Sequence, residues 1–323
     1  MTEEIYEVIG FGARNWDDIR RVDEIVLPGG ETSGSILPGD SGGSAANTVA
    51  GLSKLGVKTA FIGAVGTDDI GRYLVNDLEK ENTTPLVLEK DGKSGTCLVL
   101  VDPKGERAIY VFPEVNDEIS INDISKEILD NVKSADYLCT ATFACKNSYK
   151  SLETQLELAK IAERHAFSPG TLYTKGRILQ EKRDIIEDIM DNTEILFLNE
   201  KEIKNLTGMG TFKIAASHLL ENYSNLDIIA VTLGKDGCFL NTKNEGMLIP
   251  TYETKSIGLD TTGAGDSFAT GFMLGKIYEK PLETCGKIGN YVASRVIQHT
   301  GAREGLPTGS DPAIQKLLAQ KVA

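Results

Sequence analysis

The chain has 323 residues, 41% of them hydrophobic and 25% charged, with 34 Lys and Arg against 47 Asp and Glu for a formal net charge of −13. That length can bury a sizeable core in one large α/β unit or two smaller ones, and the composition is globular rather than disordered or fibrous. The negative charge, with no Lys/Arg run to make a basic stripe, argues against nucleic acid as a partner. No apolar run approaches the ~20 residues of a membrane span, and the acidic start Met1-Thr2-Glu3-Glu4 is unlike a signal peptide, so a cytoplasmic protein is expected.

In chain order, Tyr6 to Phe11 is the first of a series of short apolar runs bounded by turn residues. Ala60 to Val65, Tyr137 to Thr140, Ile195 to Leu198 and Ile228 to Leu233 continue it, with helical patterns between most of them. Near-continuous apolar strands suit a parallel sheet covered by helices on both faces, which predicts an α/β sandwich. Residues 14 to 40, rich in Gly, Pro and Arg, and residues 92 to 115, a strand, an Asp102-Pro103-Lys104-Gly105 turn and a strand, break the alternation. They are expected to form a small separate β-sheet, a lid over the strand ends, leaving 1–13, 41–91 and 116–323 as the core. Cys97, Cys139, Cys145, Cys238 and Cys285 are scattered and odd in number, and His165, His218 and His299 lie far apart, so neither a disulfide framework nor a zinc site is expected.

Two glycine-rich stretches each precede a helical pattern. Gly39 to Asn47 leads into a helix whose Ala45, Val49 and Leu52 share a face; Gly42 and Gly43 allow close backbone approach to a polyhydroxylated ligand, and Asn47 offers donors and an acceptor to adjacent hydroxyls. Asp260-Thr261-Thr262-Gly263-Ala264-Gly265-Asp266 comes before a helix with Phe268 and Phe272 in one row and Ala269, Met273 and Ile277 in another. Unpaired N–H groups at such a helix start attract anions, and the glycines leave them open to a phosphate, with Asp266 in reach of whatever attacks it. On these residues alone a tight turn, with Asp266 merely favouring the helix dipole, reads equally well.

Together the two stretches resemble the Gly-Gly and D-T-x-G-A-G-D motifs of the ribokinase-like (PfkB) family of carbohydrate and nucleoside kinases, over nearly the whole chain from Tyr6 to His299. The resemblance implies a three-layer α/β/α sandwich with a mostly parallel central sheet and a β lid. It also implies transfer of the ATP γ-phosphate to a sugar or nucleoside hydroxyl with Mg²⁺ and in some members a monovalent cation, and an exposed lid sheet offers a route to a homodimer. Asp266 becomes the catalytic base, with Gly263, Ala264 and Gly265 as backbone donors to the transferring phosphate. Asn199 and Glu202 match an N-x-x-E motif that organises Mg²⁺ and its water, although the same pair would also make a helix capping box. Thr232, Gly234 and Gly237 match a nucleotide-binding turn, Asn290 a contact to the adenine edge, and Asp17 a ligand for acceptor hydroxyls beside Gly42, Gly43 and Asn47.

Departures bear on the acceptor. Ser44 stands where ribose-specific members carry lysine, and the strand at Tyr137 continues as Ala141-Thr142-Phe143-Ala144 where they place an acidic sugar ligand, which disfavours free ribose. Ser44, with Ser94-Gly95-Thr96-Cys97, looks more like the adenosine-kinase-like branch, in which Phe143 or another aromatic near it could stack on a base, although Phe143 reads more readily as a core residue. Two other classes compete. A dinucleotide-binding oxidoreductase would need a third glycine after Gly10 and Gly12, where Asn15 stands. A non-catalytic ligand sensor on the same scaffold has no need of a carboxylate beside an anion hole.

Overall fold

A computed structural model describes residues 5–252, 254 and 262–320. Asp260 and Thr261 of the C-terminal motif lie outside the described residues.

The chain begins with β1 (Val8–Phe11), β2 (Asn15–Val22), β3 (Gly34–Ile36), β4 (Asp40–Gly42) and α1 (Ser44–Lys54). Next come β5 (Thr59–Gly66), α2 (Asp69–Lys80), β6 (Thr84–Lys90), β7 (Gly95–Val101), β8 (Arg107–Phe112) and α3 (Lys126–Ser134). β9 (Tyr137–Ala141), α4 (Lys150–Ile161), β10 (His165–Ser168), α5 (Gly170–Thr174), α6 (Arg177–Glu181) and α7 (Arg183–Asp191) follow. The C-terminal part holds β11 (Ile195–Asn199), α8 (Glu200–Thr207), α9 (Phe212–Asn222), β12 (Ile228–Thr232), β13 (Cys238–Asn241), β14 (Gly246–Ile249), α10 (Ala264–Ile277), α11 (Leu282–Val296) and α12 (Pro312–Leu318).

The main sheet has the order β14-β13-β12-β11-β10-β9-β1-β5-β6, parallel from β12 to β6, with the β13–β14 hairpin added antiparallel at one edge. Every residue of β1, β5 and β9 is buried, because helices cover both faces and leave no solvent side on which a polar residue would be at ease. One face packs Ala45, Val49 and Leu52 of α1 with Phe268, Phe272 and Met273 of α10 and Ile288 and Val292 of α11. The other packs Leu152 and Leu158 of α4, Ile186 and Ile189 of α7 and Ile203 of α8 around Phe11 and Phe167. The result is the three-layer sandwich.

The interrupting segments pair with one another in a second, five-stranded sheet of order β3-β2-β7-β8, with β4 on β2. β2 runs parallel to β7, matching Asn15 with Gly95 and Asp17 with Cys97, while β7 and β8 form the hairpin expected around Asp102. Oδ1 of Asp102 accepts the N–H groups of Lys104 and Glu106, at 2.8 and 2.9 Å, which closes that turn.

Candidate active site

β1 leads through α1 to β5 on one side, while its other neighbour, β9, leads through α4 to β10 on the opposite side. Such a divergence opens a crevice at the carboxyl ends of the strands, where α/β sheets bind ligands. What fills it is set by two helices. Thr270 of α10 lies so close to Gly51 of α1 that a Cβ there would fall 2.8 Å from its Cγ2 and Oγ1, and Thr270 Oγ1 donates to the Thr48 carbonyl at 3.2 Å. The helices therefore run side by side in the same direction, and both N-termini open on the crevice.

That alignment joins the two glycine-rich stretches. Ser44 Oγ donates to Asp266 Oδ1 at 2.5 Å, and Asn47 Nδ2 donates to Oδ2 at 2.8 Å. Burial pushes the Asp266 carboxyl above the usual carboxylate range, while Ser44, Asn47 and the Arg303 guanidinium pull it back. Gly263, with φ of 74°, starts α10 so close to Ala302 that a Cβ would fall 2.6 Å from its Cα. The first-turn N–H groups of Ala264, Gly265 and Asp266 precede the helix ladder, whose first bond is Ser267 N–H to the Gly263 carbonyl at 2.8 Å.

Around Asp266 a small cavity of about 160 Å³ is lined by Ser44, Thr142, Ser168, Asn199, Glu202 and Thr232, among others. Asn199 and Glu202 form a reciprocal capping box on α8: Asn199 Oδ1 accepts the Glu202 N–H at 2.8 Å, and Glu202 Oε2 accepts the Asn199 N–H at 2.9 Å. The two readings do not exclude one another, because the capped Glu202 lines the cavity. Burial raises the Glu202 carboxyl, the Asn199 N–H and Thr171 hydroxyl lower it, and the nearby Asp266 raises it further.

Next to this cavity a larger cleft of about 440 Å³ is lined by Asn199, Lys201, Lys204, Asn205, Thr232 and Gly234, among others. Thr232 belongs to both spaces, at the end of β12. Gly237 is held differently: with φ of 88° it turns the chain back against the Ile249 carbonyl, and its own carbonyl accepts the Leu233 N–H at 2.8 Å. Asn290, expected at an adenine edge, is buried on α11, and its Nδ2 donates to the Ile249 and Pro250 carbonyls at 3.0 and 3.1 Å. Both of its N–H bonds are committed to that strut between α11 and the end of β14.

On the small-sheet side of Asp266, a Cβ on Gly42 would lie 2.5 Å from the Asp17 carboxylate oxygens, so this glycine makes room for Asp17. Gly43 has φ of 116° and lies against the Ala13 carbonyl. Asp17 is pushed up to about 7, first by burial and then by Asp40, against the pull of the Cys97 thiol, Arg14 and Arg303. Of the two readings of Phe143 the core one holds: it is fully buried with its ring centroid 5.1 Å from that of Phe11.

Several charged residues emerge that sequence reasoning did not single out. Arg14, fully buried, donates to the Gly42 and Leu74 carbonyls at 3.0 and 3.1 Å and to Asp77 Oδ2 at 2.6 Å. Arg303 donates through Nη1 to the same Asp77 oxygen at 2.7 Å and through Nε to Asn47 Oδ1 at 2.9 Å. Arg107, the first residue of β8, reaches from the small sheet to the Thr262 hydroxyl beside Gly263. No local pattern marks these residues; only their convergence does.

Residues 17–309 match the model of the pfkB family of carbohydrate kinases. An uncharacterized sugar kinase of Archaeoglobus fulgidus is 39% identical over 262 residues, covering 81% of this chain and all of that one. A nucleoside kinase of Methanocaldococcus jannaschii is 26% identical over 290 residues, 87% of this chain and 86% of that one. The crystal structure of adenosine kinase from Sinorhizobium meliloti superposes with a TM-score of 0.82 over 97% of this chain and 100% of that one, at 23% identity.

Proposed function

The chain belongs to the pfkB family of carbohydrate kinases and is an ATP-dependent phosphotransferase, and we propose that Asp266 is the base that directs a sugar or nucleoside hydroxyl at the γ-phosphate. The observation that carries this reading is the carboxylate itself, held by Ser44 and Asn47 in the first turn of α10, beside N–H groups open to an anion. A transferring phosphate is attracted to that helix start, and the turn Gly263-Ala264-Gly265 lets it approach the backbone. Phosphoryl transfer proceeds through a loose transition state, so positioning and charge stabilisation matter more than a strong base.

The acceptor lies between Asp266 and Asp17, with Gly42, Gly43 and Asn47 along its hydroxylated edge. Nucleotide phosphates run from the anion site towards Asn199, Thr232 and Gly234, and the cleft lined by Lys201 and Lys204 takes the rest of the donor. Gly237 shapes that turn from behind.

Mg²⁺ fits this site in one way. The ion would be carried chiefly by the nucleotide phosphates, neutralising their charge, since Mg²⁺ is usually held by one or two carboxylates and its substrate phosphates. Glu202, half-buried with Oε2 committed to its cap, would reach it through water with Oε1. The small sheet acts as a lid that excludes water from the transfer. Free ribose is disfavoured because β9 ends in Ala141 and continues as Thr142-Phe143-Ala144, with no carboxylate. We place the enzyme in the cytoplasm; among the described residues no helix is long and apolar enough to cross a membrane.

The test is ADP release from ATP and Mg²⁺ across adenosine, cytidine, inosine, ribose, fructose and ribose 1-phosphate, with Asp266→Asn alongside. Acceptor-dependent turnover that falls by about two to four powers of ten in the variant, with ATP affinity little changed, is the expected result. Near-wild-type turnover in the variant would remove Asp266 from the role of base.

A further inference from the structure

We propose that Arg303 is a positioning residue for the phosphoryl transfer: by donating Nε–H to Asn47 Oδ1 it fixes the orientation of the Asn47 carboxamide, which in turn aims Asp266 Oδ2. The inference rests on the assignment of Asp266 as base and extends it to a residue that never touches the carboxylate.

The geometry is a chain of four groups drawn from distant parts of the sequence. Asp77 on α2 holds Arg303 Nη1 at 2.7 Å; Arg303 Nε holds Asn47 Oδ1 at 2.9 Å; Asn47 Nδ2 holds Asp266 Oδ2 at 2.8 Å. A carboxamide has nearly the same shape in its two flipped orientations, so sterics alone do not choose between them. Only one orientation is compatible with both neighbours here. Flipping Asn47 would turn its oxygen to the Asp266 carboxylate and its NH₂ to the guanidinium, setting acceptor against acceptor and donor against donor. Asp266 cannot enforce the choice by itself at every stage, since its own hydrogen bonds change when it takes a proton from the acceptor. A permanently charged guanidinium enforces it throughout.

Arg303 is in turn well anchored. It is 7% exposed, and Asp77 Oδ2 also receives Arg14 Nη2 and Ser41 Oγ, each at 2.6 Å. Burial pushes the Asp77 carboxyl up, but Arg303, Ser41 and Arg14 together hold it below the usual range, so it remains a charged anchor. Arg14 connects the same anchor to the Gly42 carbonyl, next to the glycine that shapes the acceptor side. The device thus joins the floor of the small sheet, α2 and the C-terminal loop to one carboxylate oxygen.

The experiment uses the full-length enzyme with ATP, Mg²⁺ and whichever of adenosine, cytidine, inosine, ribose, fructose and ribose 1-phosphate turns over fastest. Arg303→Met, of similar length but without donors, should lower kcat by about 10- to 100-fold, as expected for losing a buried hydrogen bond to a charged group, with KM for ATP within threefold. In an Asn47→Ala background the same change should cost less than about twofold, because the amide through which it acts is already gone. Arg303→Lys, which retains the charge but cannot reach Asn47 and Asp77 together with fork geometry, should resemble Arg303→Met; it also serves if the Met variant does not fold. Unchanged kcat in both variants, or a further tenfold loss on top of Asn47→Ala, would overturn the proposal. Asp266→Asn run in parallel separates the two readings: if it is inactive while Arg303 is dispensable, only the positioning role falls; if it is active, the base assignment falls and this proposal with it.

Discussion

Asp17 shows how a single side chain acquires its properties from what surrounds it. A carboxylate in the strand β2 would titrate near 4 in water; half-buried beside Asp40 and against Gly42, it is pushed up to about 7. A raised carboxyl is protonated below that value and accepts poorly from a diol, so acceptor binding should strengthen as pH rises through about 7. The acid limb of kcat/KM, which reports the free enzyme, is expected near that pH. Asp17→Asn should raise KM for the acceptor by about tenfold or more, from the loss of charge-assisted hydrogen bonds, and remove the contribution of Asp17 to the limb. An unchanged KM and profile would show that Asp17 does not meet the acceptor. The same scale explains Gly42: it is needed for the space that the Asp17 carboxylate occupies, a contact between strands β2 and β4 that a reading of Gly-Gly as a ligand cradle does not anticipate.

At the scale of elements, the parallel sheet carries a polar chain through its core. Gln155 Nε2 on α4 donates to Thr140 Oγ1 on β9, which is 2.8 Å from His165 Nε2 on β10; His165 Nδ1 lies 3.0 Å from the Asn192 carbonyl and 3.1 Å from Thr193 Oγ1, just beyond α7. Burial lowers the imidazole to about 4, against a modest rise from the Asn192 carbonyl. In the unfolded chain the same ring titrates near 6.5, so between about 6.5 and 4 the unfolded state binds the proton and the folded state does not. Stability contributed by neutral His165 is therefore fully present above 6.5 and lost as pH falls towards 4. Urea unfolding should show about 2 kcal/mol less stability at pH 5 than at pH 7 from this group, a difference that His165→Gln removes. Equal pH dependence in the variant would show that other groups dominate. Helix packing follows the same economy of contact: Gly271 and Gly275 of α10 lie against Ile288 and Cys285 of α11, where a Cβ would meet the Ile288 carbonyl oxygen at 2.6 Å and Cys285 Sγ at 2.8 Å.

Across the whole molecule, the small sheet and the turn at Gly263 meet through Arg107 and Thr262, which lie 155 residues apart in the chain. If the transferring phosphate sits at that turn as proposed, a guanidinium brought by the small sheet to its edge can stabilise the charge that builds on it. Arg107→Ala should lower kcat by about 10- to 100-fold, measured as ADP release at saturating ATP, with less change in nucleotide affinity. A kcat within threefold of wild type would mean that this contact only closes the lid. Much of this organisation was legible in the sequence, because it rests on short-range physics. Apolar runs between helical patterns implied a covered parallel sheet, the Asp102 turn implied a hairpin, and the glycines before the helices at Ala45 and Phe268 marked two helix starts that the fold brings together at Asp266 and Asn47. The N-x-x-E pattern at Asn199 located a helix cap, and only the fold showed that this cap lines the cavity around Asp266. Asn290 falls on a late helix, as expected, but which way its side chain and that of Phe143 face depends on neighbours that no local pattern names. Arg14, Asp77 and Arg303 were invisible for the same reason: Asp77 and Arg303 are 226 residues apart, and their meaning comes from sharing one oxygen. The sequence by itself determined the order of the elements and the chemistry available at each helix start; tertiary structure alone decided which charges meet, because desolvation and hydrogen-bond geometry act through space rather than along the chain.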